Sequence, residues 1–164
     1  MKPERCREAP RRADVVIIGA GQAGLATSAQ LARHGVDHVV LERGEPANSW
    51  RHERWDSLRL LTPNWQNQLP GYGYQGDDPD GFMGAAEVAD FIGDYARYCG
   101  APVQCNTTVT RVSQTDDGFH VATDRGDWRC RSLVLASGPY NRPSIPKIAE
   151  QLPGSVRQVT AHDY

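Results

Sequence analysis

The chain has 164 residues and a formal net charge of -2, with 39% hydrophobic and 23% charged residues. This length suits one domain with a single sizeable core. The near-neutral charge, without a long basic run, excludes the electrostatic footprint of a nucleic-acid-binding protein. No apolar window approaches the roughly 20 residues of a membrane span, so neither nucleic acid nor membrane is an expected partner.

The N-terminal segment, residues 1–13, contains four arginines and no apolar stretch of signal-peptide length, which predicts a flexible arm. The four cysteines form no CxxC pair, so reduced thiols and a cytoplasmic location are expected. Five scattered histidines lack metal-ligand spacing, which predicts that there is no metal site. The cysteines are Cys6, Cys99, Cys105 and Cys130.

Residues 14–42 are the most informative segment of the sequence. The β-branched run Val15-Val16-Ile17-Ile18 is typical of a parallel strand covered on both faces. It is followed by the glycine-rich turn Gly19-Ala20-Gly21-Gln22-Ala23-Gly24. In a dinucleotide fingerprint the first glycine permits the tight turn, the second admits a pyrophosphate, and the third allows close packing of helix and strand.

A helix predicted from Gln22 to about His34 directs its positive end toward the bound phosphates. The next strand, residues 36–41, ends at Glu42, whose carboxylate suits a ribose hydroxyl. Strand, helix, second strand and acid all occur where the fingerprint requires them, which predicts a dinucleotide site. The alternative is a glycine-rich turn without a ligand.

The remaining segments predict an α/β fold. Residues 43–84 form a long excursion with little periodicity, and residues 87–99 form an amphipathic helix whose aromatic side chains are assigned to the core. Residues 103–112, 119–123 and 128–130 predict a three-stranded meander, and residues 133–136 a further apolar strand. We therefore predict a Rossmann-like parallel sheet with a three-stranded β-meander insertion.

Several later motifs add to the fingerprint. Two segments rich in tryptophan and arginine, residues 48–51 and 55–60, precede Thr62-Pro63-Asn64-Trp65 and Leu69-Pro70-Gly71. The last apolar strand ends in Leu135-Ala136-Ser137-Gly138. Together these motifs resemble the N-terminal FAD-binding portion of class B flavin-dependent monooxygenases, which include flavin-containing and Baeyer–Villiger enzymes. The resemblance covers about residues 13–164.

The resemblance implies an NADPH-dependent oxidoreductase that inserts one oxygen atom from O2 through a flavin C4a-hydroperoxide. Its partners would be NADPH, O2 and a small-molecule substrate, and because the flavin carries the chemistry we nominate no catalytic side chain. The implied FAD-binding residues are Gly19, Ala20, Gly21, Gln22, Ala23, Gly24, Glu42, Arg43, Trp50, Arg51, Leu61, Thr62, Val109, Ala136, Ser137 and Gly138. Arg54 is an alternative to Arg51 as a phosphate-binding cation.

The sequence departs from the family pattern at three places. Ser137 replaces the usual Thr, Asn64 stands where many members have Lys, and the linker signature near residues 152–164 is imperfect. No second glycine fingerprint for NADPH is present. We therefore expect residues 14–164 to be a partial FAD-binding domain that includes the start of a linker to a missing NADPH domain.

Three alternatives remain. The chain could be an isolated, non-catalytic FAD- or nucleotide-binding fragment, or an inactive remnant. A pyridine-nucleotide disulfide reductase shares the FAD half-domain, but the cysteines supply no redox pair. An NAD-dependent dehydrogenase fits the first fingerprint, whereas the meander and the strand ending at Gly138 favour FAD.

Overall fold

A computed structural model describes residues 9–138 and 144–160. Most of the predicted N-terminal arm, with Cys6, lies outside the described residues. So do Pro143 and the last four residues of the linker signature.

The described residues form a mixed α/β structure. Its strands are β1 (Arg11–Ile18), β2 (His38–Leu41), β3 (Gln68–Leu69), β4 (Tyr72–Gly73), β5 (Val103–Gln104), β6 (Val109–Thr115), β7 (Gly118–Thr123) and β8 (Trp128–Leu135). Its helices are α1 (Gln22–Arg33), α2 (Asn48–His52) and α3 (Ala85–Tyr98), with 3-10 turns at Asn64–Gln66 and Lys147–Gln151.

Six strands form one sheet in the order β5-β2-β1-β8-β7-β6. Strands β5, β2, β1 and β8 run parallel, whereas β8, β7 and β6 pair antiparallel. Strands β3 and β4 form a separate small hairpin. The predicted fold class, a parallel sheet with a three-stranded meander, is confirmed.

The prediction of one strand over residues 103–112 is wrong. The chain breaks between β5, which extends the parallel sheet beside β2, and β6, which begins the meander. Asn106 causes the break because it takes a left-handed conformation (φ 53°), which Asn tolerates better than most residues. The backbone N–H groups of Asn106 and Thr107 donate to the carbonyls of Gly44 and Glu42 instead of continuing a strand.

Other predicted strand boundaries also differ, and β2, predicted to begin at residue 36, begins at His38. Residues 128–130 and 133–135 belong to a single strand, β8. One edge of β8 pairs with β7 through residues 128–130, and the other edge pairs with β1 along its whole length. Strand β1 begins at Arg11, inside the segment predicted as a flexible arm, because residues 11–13 pair with residues 128–130. The guanidinium of Arg11 also lies over the ring of Trp128, 5.5 Å from its centroid.

The sheet has a hydrophobic cluster on each side. One cluster joins β1 and β2 to helices α1 and α3 and includes Ile17, Leu25 and Ile92. The other joins β1 and β2 to the meander, with Val16 and Val121 both fully buried. The predicted apolar stripe of α3 is confirmed as core, since most of its members are buried.

The excursion after β2 is held by a buried polar residue, Asn64. Its side chain donates to the carbonyl of Asp78 (2.8 Å) and accepts from the N–H of Met83 (3.0 Å). Its own N–H donates to the carbonyl of Gly81. Asn64 therefore links the middle of the excursion to its end. This structural role needs an amide that both donates and accepts, which Lys cannot supply.

Across the described residues, every helix is too short or too polar to cross a lipid bilayer.

Replacement of Asn64 by Ala should lower the free energy of unfolding by about 1–3 kcal/mol, because the buried N–H of Met83 loses its acceptor. Urea denaturation measures the change, and faster limited proteolysis within residues 61–83 should accompany it. The exposed neighbour Gln66 provides the control. Equal losses for Asn64→Ala and Gln66→Ala would contradict the assignment.

Candidate functional site

A cleft of about 660 Å³ lies at the carboxyl ends of three parallel strands. Ile18 pairs with Leu41 on one side and with Leu135 on the other, and all three line the cleft. The central strand β1 is followed in sequence by its neighbour β2, whereas its other neighbour is the distant β8. The cleft therefore lies at a topological switch point, where open α/β sheets bind their ligands.

The glycine-rich turn forms the floor of the cleft, and its three glycines have different surroundings. Gly19 takes a positive φ of +108°, and a Cβ there would lie 2.5 Å from the carbonyl oxygen of Ala136. A Cβ at Gly24 would lie 1.9 Å from the carbonyl oxygen of Gly19, so only glycine allows this packing of α1 against β1. A Cβ at Gly21 would meet nothing within 4 Å. Gly21 is therefore open toward the cleft.

The amino terminus of α1 is suited to an anion. Gly21 is its N-cap residue, no side chain caps the helix, and its first turn contains no acidic residue. Gln22 and Ala23 line the cleft. The N–H groups of a helix's first turn lack partners within the helix and carry partial positive charge. This end of α1 can therefore hold a phosphate without displacing a side chain.

Glu42 is buried beside the turn, with 7% of its surface exposed. One carboxylate oxygen accepts from the N–H of Ala20 (2.8 Å) and the other from the N–H of Gly44 (3.0 Å). The acid thus joins the β1–α1 turn to the end of β2. Each carboxylate oxygen has a second lone pair, so these bonds leave acceptor capacity for a ligand hydroxyl in the cleft.

One wall of the cleft combines an aromatic ring with a cation. Trp50 and Arg54 both line it, and the Arg54 guanidinium lies over the indole, 5.2 Å from the ring centroid. Arg51, the predicted cofactor residue, instead forms an ion pair with Asp90 (2.9 Å) and donates to the carbonyl of Ala89 on α3. Arg54, and not Arg51, therefore lines the cleft.

Most of the predicted cofactor residues line the cleft. They are Gly19, Gly21, Gln22, Ala23, Glu42, Arg43, Trp50, Val109, Ala136, Ser137 and Gly138. Ala20 and Gly24 lie in the turn itself and are buried behind the lining. Leu61 (95% exposed) and Thr62 lie on the surface of the excursion and are not among the lining residues.

Nine lining residues are missing from the predicted set. Four are apolar, and the five polar ones are Asn48, Ser49, Arg54, Thr107 and Thr108. Asn48 and Ser49 lie in the first tryptophan–arginine segment and Arg54 directly precedes the second. The motif resemblance does not say which of these side chains turn inward. The two threonines follow the break at Asn106. Reading that Asn as a turn residue, and not as part of a strand, would have indicated that the following residues leave the sheet.

The cysteines in the part of the chain that the structure describes are free thiols at Cys99, Cys105 and Cys130. Burial raises the pKa of all three, and the carboxylates of Glu42 and Glu45 add to the rise at Cys105. Cysteines used in thiol–disulfide exchange have lowered pKa values, because the thiolate is the reactive form. The pKa values of these three thiols are therefore shifted in the opposite direction to those of redox-active cysteines.

A family model described as pyridine nucleotide-disulphide oxidoreductase matches residues 16–163 of the chain. The chain is 38% identical to the "Uncharacterized oxidoreductase CzcO-like" of Geobacillus kaustophilus, over 92% of this chain and 43% of that protein. It is 33% identical to indole-3-pyruvate monooxygenase YUCCA6 of Arabidopsis thaliana, over 84% of this chain and 36% of that protein.

Among solved structures, the flavin-containing monooxygenase from Stenotrophomonas maltophilia matches with a TM-score of 0.72 and 29% sequence identity. The match covers 84% of this chain and 42% of that one. The chain thus spans less than half the length of these relatives. Because the family model covers most of its residues, the chain belongs to the pyridine nucleotide-disulphide oxidoreductase family.

Proposed function

We propose that the chain is the FAD-binding part of an NADPH-dependent flavoprotein monooxygenase. The observation that carries the proposal is the open position at Gly21, in front of an uncapped helix, at the strand ends where dinucleotides bind. The similarity to proteins named as monooxygenases, including a flavin-containing one at 29% identity, supports the choice of FAD and of oxygenation.

The proposed binding mode follows the chemistry of the lining residues. The pyrophosphate lies against Gly21, Gln22 and Ala23 at the start of α1, and the Arg54 guanidinium adds a charge-assisted bond. Glu42 accepts a hydrogen bond from the adenosine ribose through its remaining lone pairs. Trp50 offers a flat apolar surface to a ring system. These residues bind and orient the cofactor, and the bound FAD supplies the redox chemistry.

Arg43, Val109, Ala136, Ser137 and Gly138 complete the proposed lining. The resemblance assigns the Val109 backbone to the adenine, and it assigns the motif that ends at Gly138 to the close of the first half of the FAD domain. Ala20 and Gly24 contribute through the shape of the turn. Arg51 contributes by fixing α2 to α3, and no direct contact with FAD is proposed for Leu61 or Thr62.

Disulfide reduction, which the family description names, is the less favoured activity. It requires a thiolate pair near the flavin, whereas the free thiols at Cys99, Cys105 and Cys130 have raised pKa values. The proposed reaction partners are NADPH, O2 and a small-molecule substrate. We propose a cytoplasmic setting, which suits thiols that remain reduced.

The first test is binding of FAD to the purified 164-residue chain. We expect one FAD per chain, seen as quenching of tryptophan fluorescence by a flavin close to Trp50 and as flavin absorbance retained through gel filtration. A folded, monomeric protein that cannot be loaded with FAD would contradict the proposed site. NADPH-stimulated oxygen uptake by the full gene product tests the activity, and its absence with amine, sulfide and ketone acceptors would contradict the monooxygenase assignment.

The second test separates the roles of two glycines. Gly21→Val should weaken FAD binding by at least about a hundredfold, or roughly 2.7 kcal/mol, because the side chain occupies the space of the pyrophosphate. It should leave the far-UV circular dichroism unchanged. Gly24→Ala should instead lower the free energy of unfolding by about 1–3 kcal/mol or more, since its Cβ collides with the Gly19 carbonyl.

Gly154→Val is the matched control for Gly21→Val, because a Cβ there also meets nothing within 4 Å and the residue lies outside the cleft lining. This control should keep both the FAD affinity and the fold. Equal FAD affinity in wild type and Gly21→Val would contradict the proposed position of the pyrophosphate.

A further inference from the structure

Three polar residues form a cluster at the mouth of the cleft, beside the end of β2. Arg43 follows Glu42 directly and lines the cleft, and its guanidinium donates to Oε1 of Glu53. The side-chain amide of Asn48, which also lines the cleft, lies 3.4 Å from the same oxygen. We call Arg43, Asn48 and Glu53 the rim cluster.

The rim cluster is packed into the fold and is not a loose surface pair. Only 17% of the Glu53 side chain is exposed, against 44% for Arg43. A Cβ at Gly44 would lie 2.1 Å from Oδ1 of Asn48, so the glycine makes room for the amide. Exposed single ion pairs contribute little and exchange readily with water. Glu53, with two donors and little solvent access, is a more persistent partner for Arg43.

The position of Arg43 matters because its neighbour, Glu42, is the acid proposed to bind the ribose. An acid at the end of the second strand accepts from the ribose 2′-hydroxyl, whereas a nearby arginine accommodates a 2′-phosphate. This chain has both residue types in sequence, Glu42 and then Arg43. Which ribose the cleft accepts therefore depends on whether the Arg43 guanidinium is available to a ligand.

The ion pair with Glu53 limits how far the Arg43 guanidinium is available to a ligand. An arginine that binds a phosphate presents its N–H groups to the phosphate oxygens, usually two at once. At Arg43 the carboxylate of Glu53 competes for those groups and cancels the charge that would attract a phosphate. A 2′-phosphate would also approach the Glu42 carboxylate and be repelled. Specificity of this kind comes from an element that opposes the wrong ligand.

We propose that Glu53 is a specificity-determining residue of the cleft. By holding Arg43 in an internal ion pair, it selects an adenine nucleotide with a free ribose 2′-hydroxyl against one that is 2′-phosphorylated. This inference rests on the proposed nucleotide-binding function and deepens it. It assigns the selection to a side chain that does not itself line the cleft.

The test compares two ligands that differ only in the 2′-phosphate, ADP-ribose and 2′-phospho-ADP-ribose, by isothermal titration calorimetry. Wild type should bind the phosphorylated ligand at least about tenfold more weakly. In Glu53→Gln the ratio of the two dissociation constants should fall by about tenfold, the scale of one charge-assisted hydrogen bond. The double variant Arg43→Ala, Glu53→Gln should lose that gain.

Glu45→Gln is the matched control. Glu45 is a nearby acid with the same charge, but its partners are Arg51 and His52, so its removal should leave the ratio within about twofold if the effect is local. Should Glu53→Gln fail to fold, Glu53→Asp decides in its place. It keeps the charge but is one methylene shorter, and the ratio should move in the same direction by a smaller factor.

The outcomes separate the two proposals. If wild type binds neither ligand nor FAD, the proposed function fails. If wild type binds ADP-ribose but the ratio is unchanged in Glu53→Gln or in Glu53→Asp, the inference about Glu53 is overturned while the proposed function stands. An equal change in Glu45→Gln would also overturn it, because the effect would then come from net charge alone.

Discussion

The close approach of Gly24 to the carbonyl of Gly19 fixes where α1 begins relative to β1. No side chain larger than hydrogen fits between them, so α1 begins directly above the end of β1. The helix therefore presents its first turn to the cleft, with Gly21 facing open space. A shift of α1 away from β1 would remove both the floor of the cleft and the alignment of the helix dipole with a bound phosphate.

Glu42 connects this turn to the rest of the cleft. Its carboxylate joins Ala20 to Gly44, and its carbonyl accepts from Thr107 at the start of the meander. The residue that suits a ribose hydroxyl thus also holds three chain segments together. The neighbouring rim cluster is built in a similar way. Arg43 and Asn48 line the cleft, and Glu53, which does not line it, accepts a hydrogen bond from each. Binding and structure are therefore not separable at this acid.

Most of the fold and the floor of the cleft are predictable from the sequence, because they rest on local signals. The β-branched run of β1, the three glycines and the apolar stripe of α3 each occupy the predicted place. What the sequence does not reveal depends on tertiary contacts. Arg51 turns away from the cleft because its acceptors lie on α3, whereas Arg54 lies over the ring of Trp50. The break at Asn106 follows from carbonyls more than 60 residues earlier, at Glu42 and Gly44.

We propose that the first turn of α1 and the end of β2 hold a dinucleotide. Hydrogen exchange measured residue by residue, with and without FAD, tests it most directly. Binding should slow exchange at the amides of residues 21–23, which the pyrophosphate would cover, and at Arg43 beside the ribose, while α3 stays unchanged. If FAD binds but these amides exchange at their free rates, and protection appears instead along α3, the cofactor occupies another surface and the account is wrong.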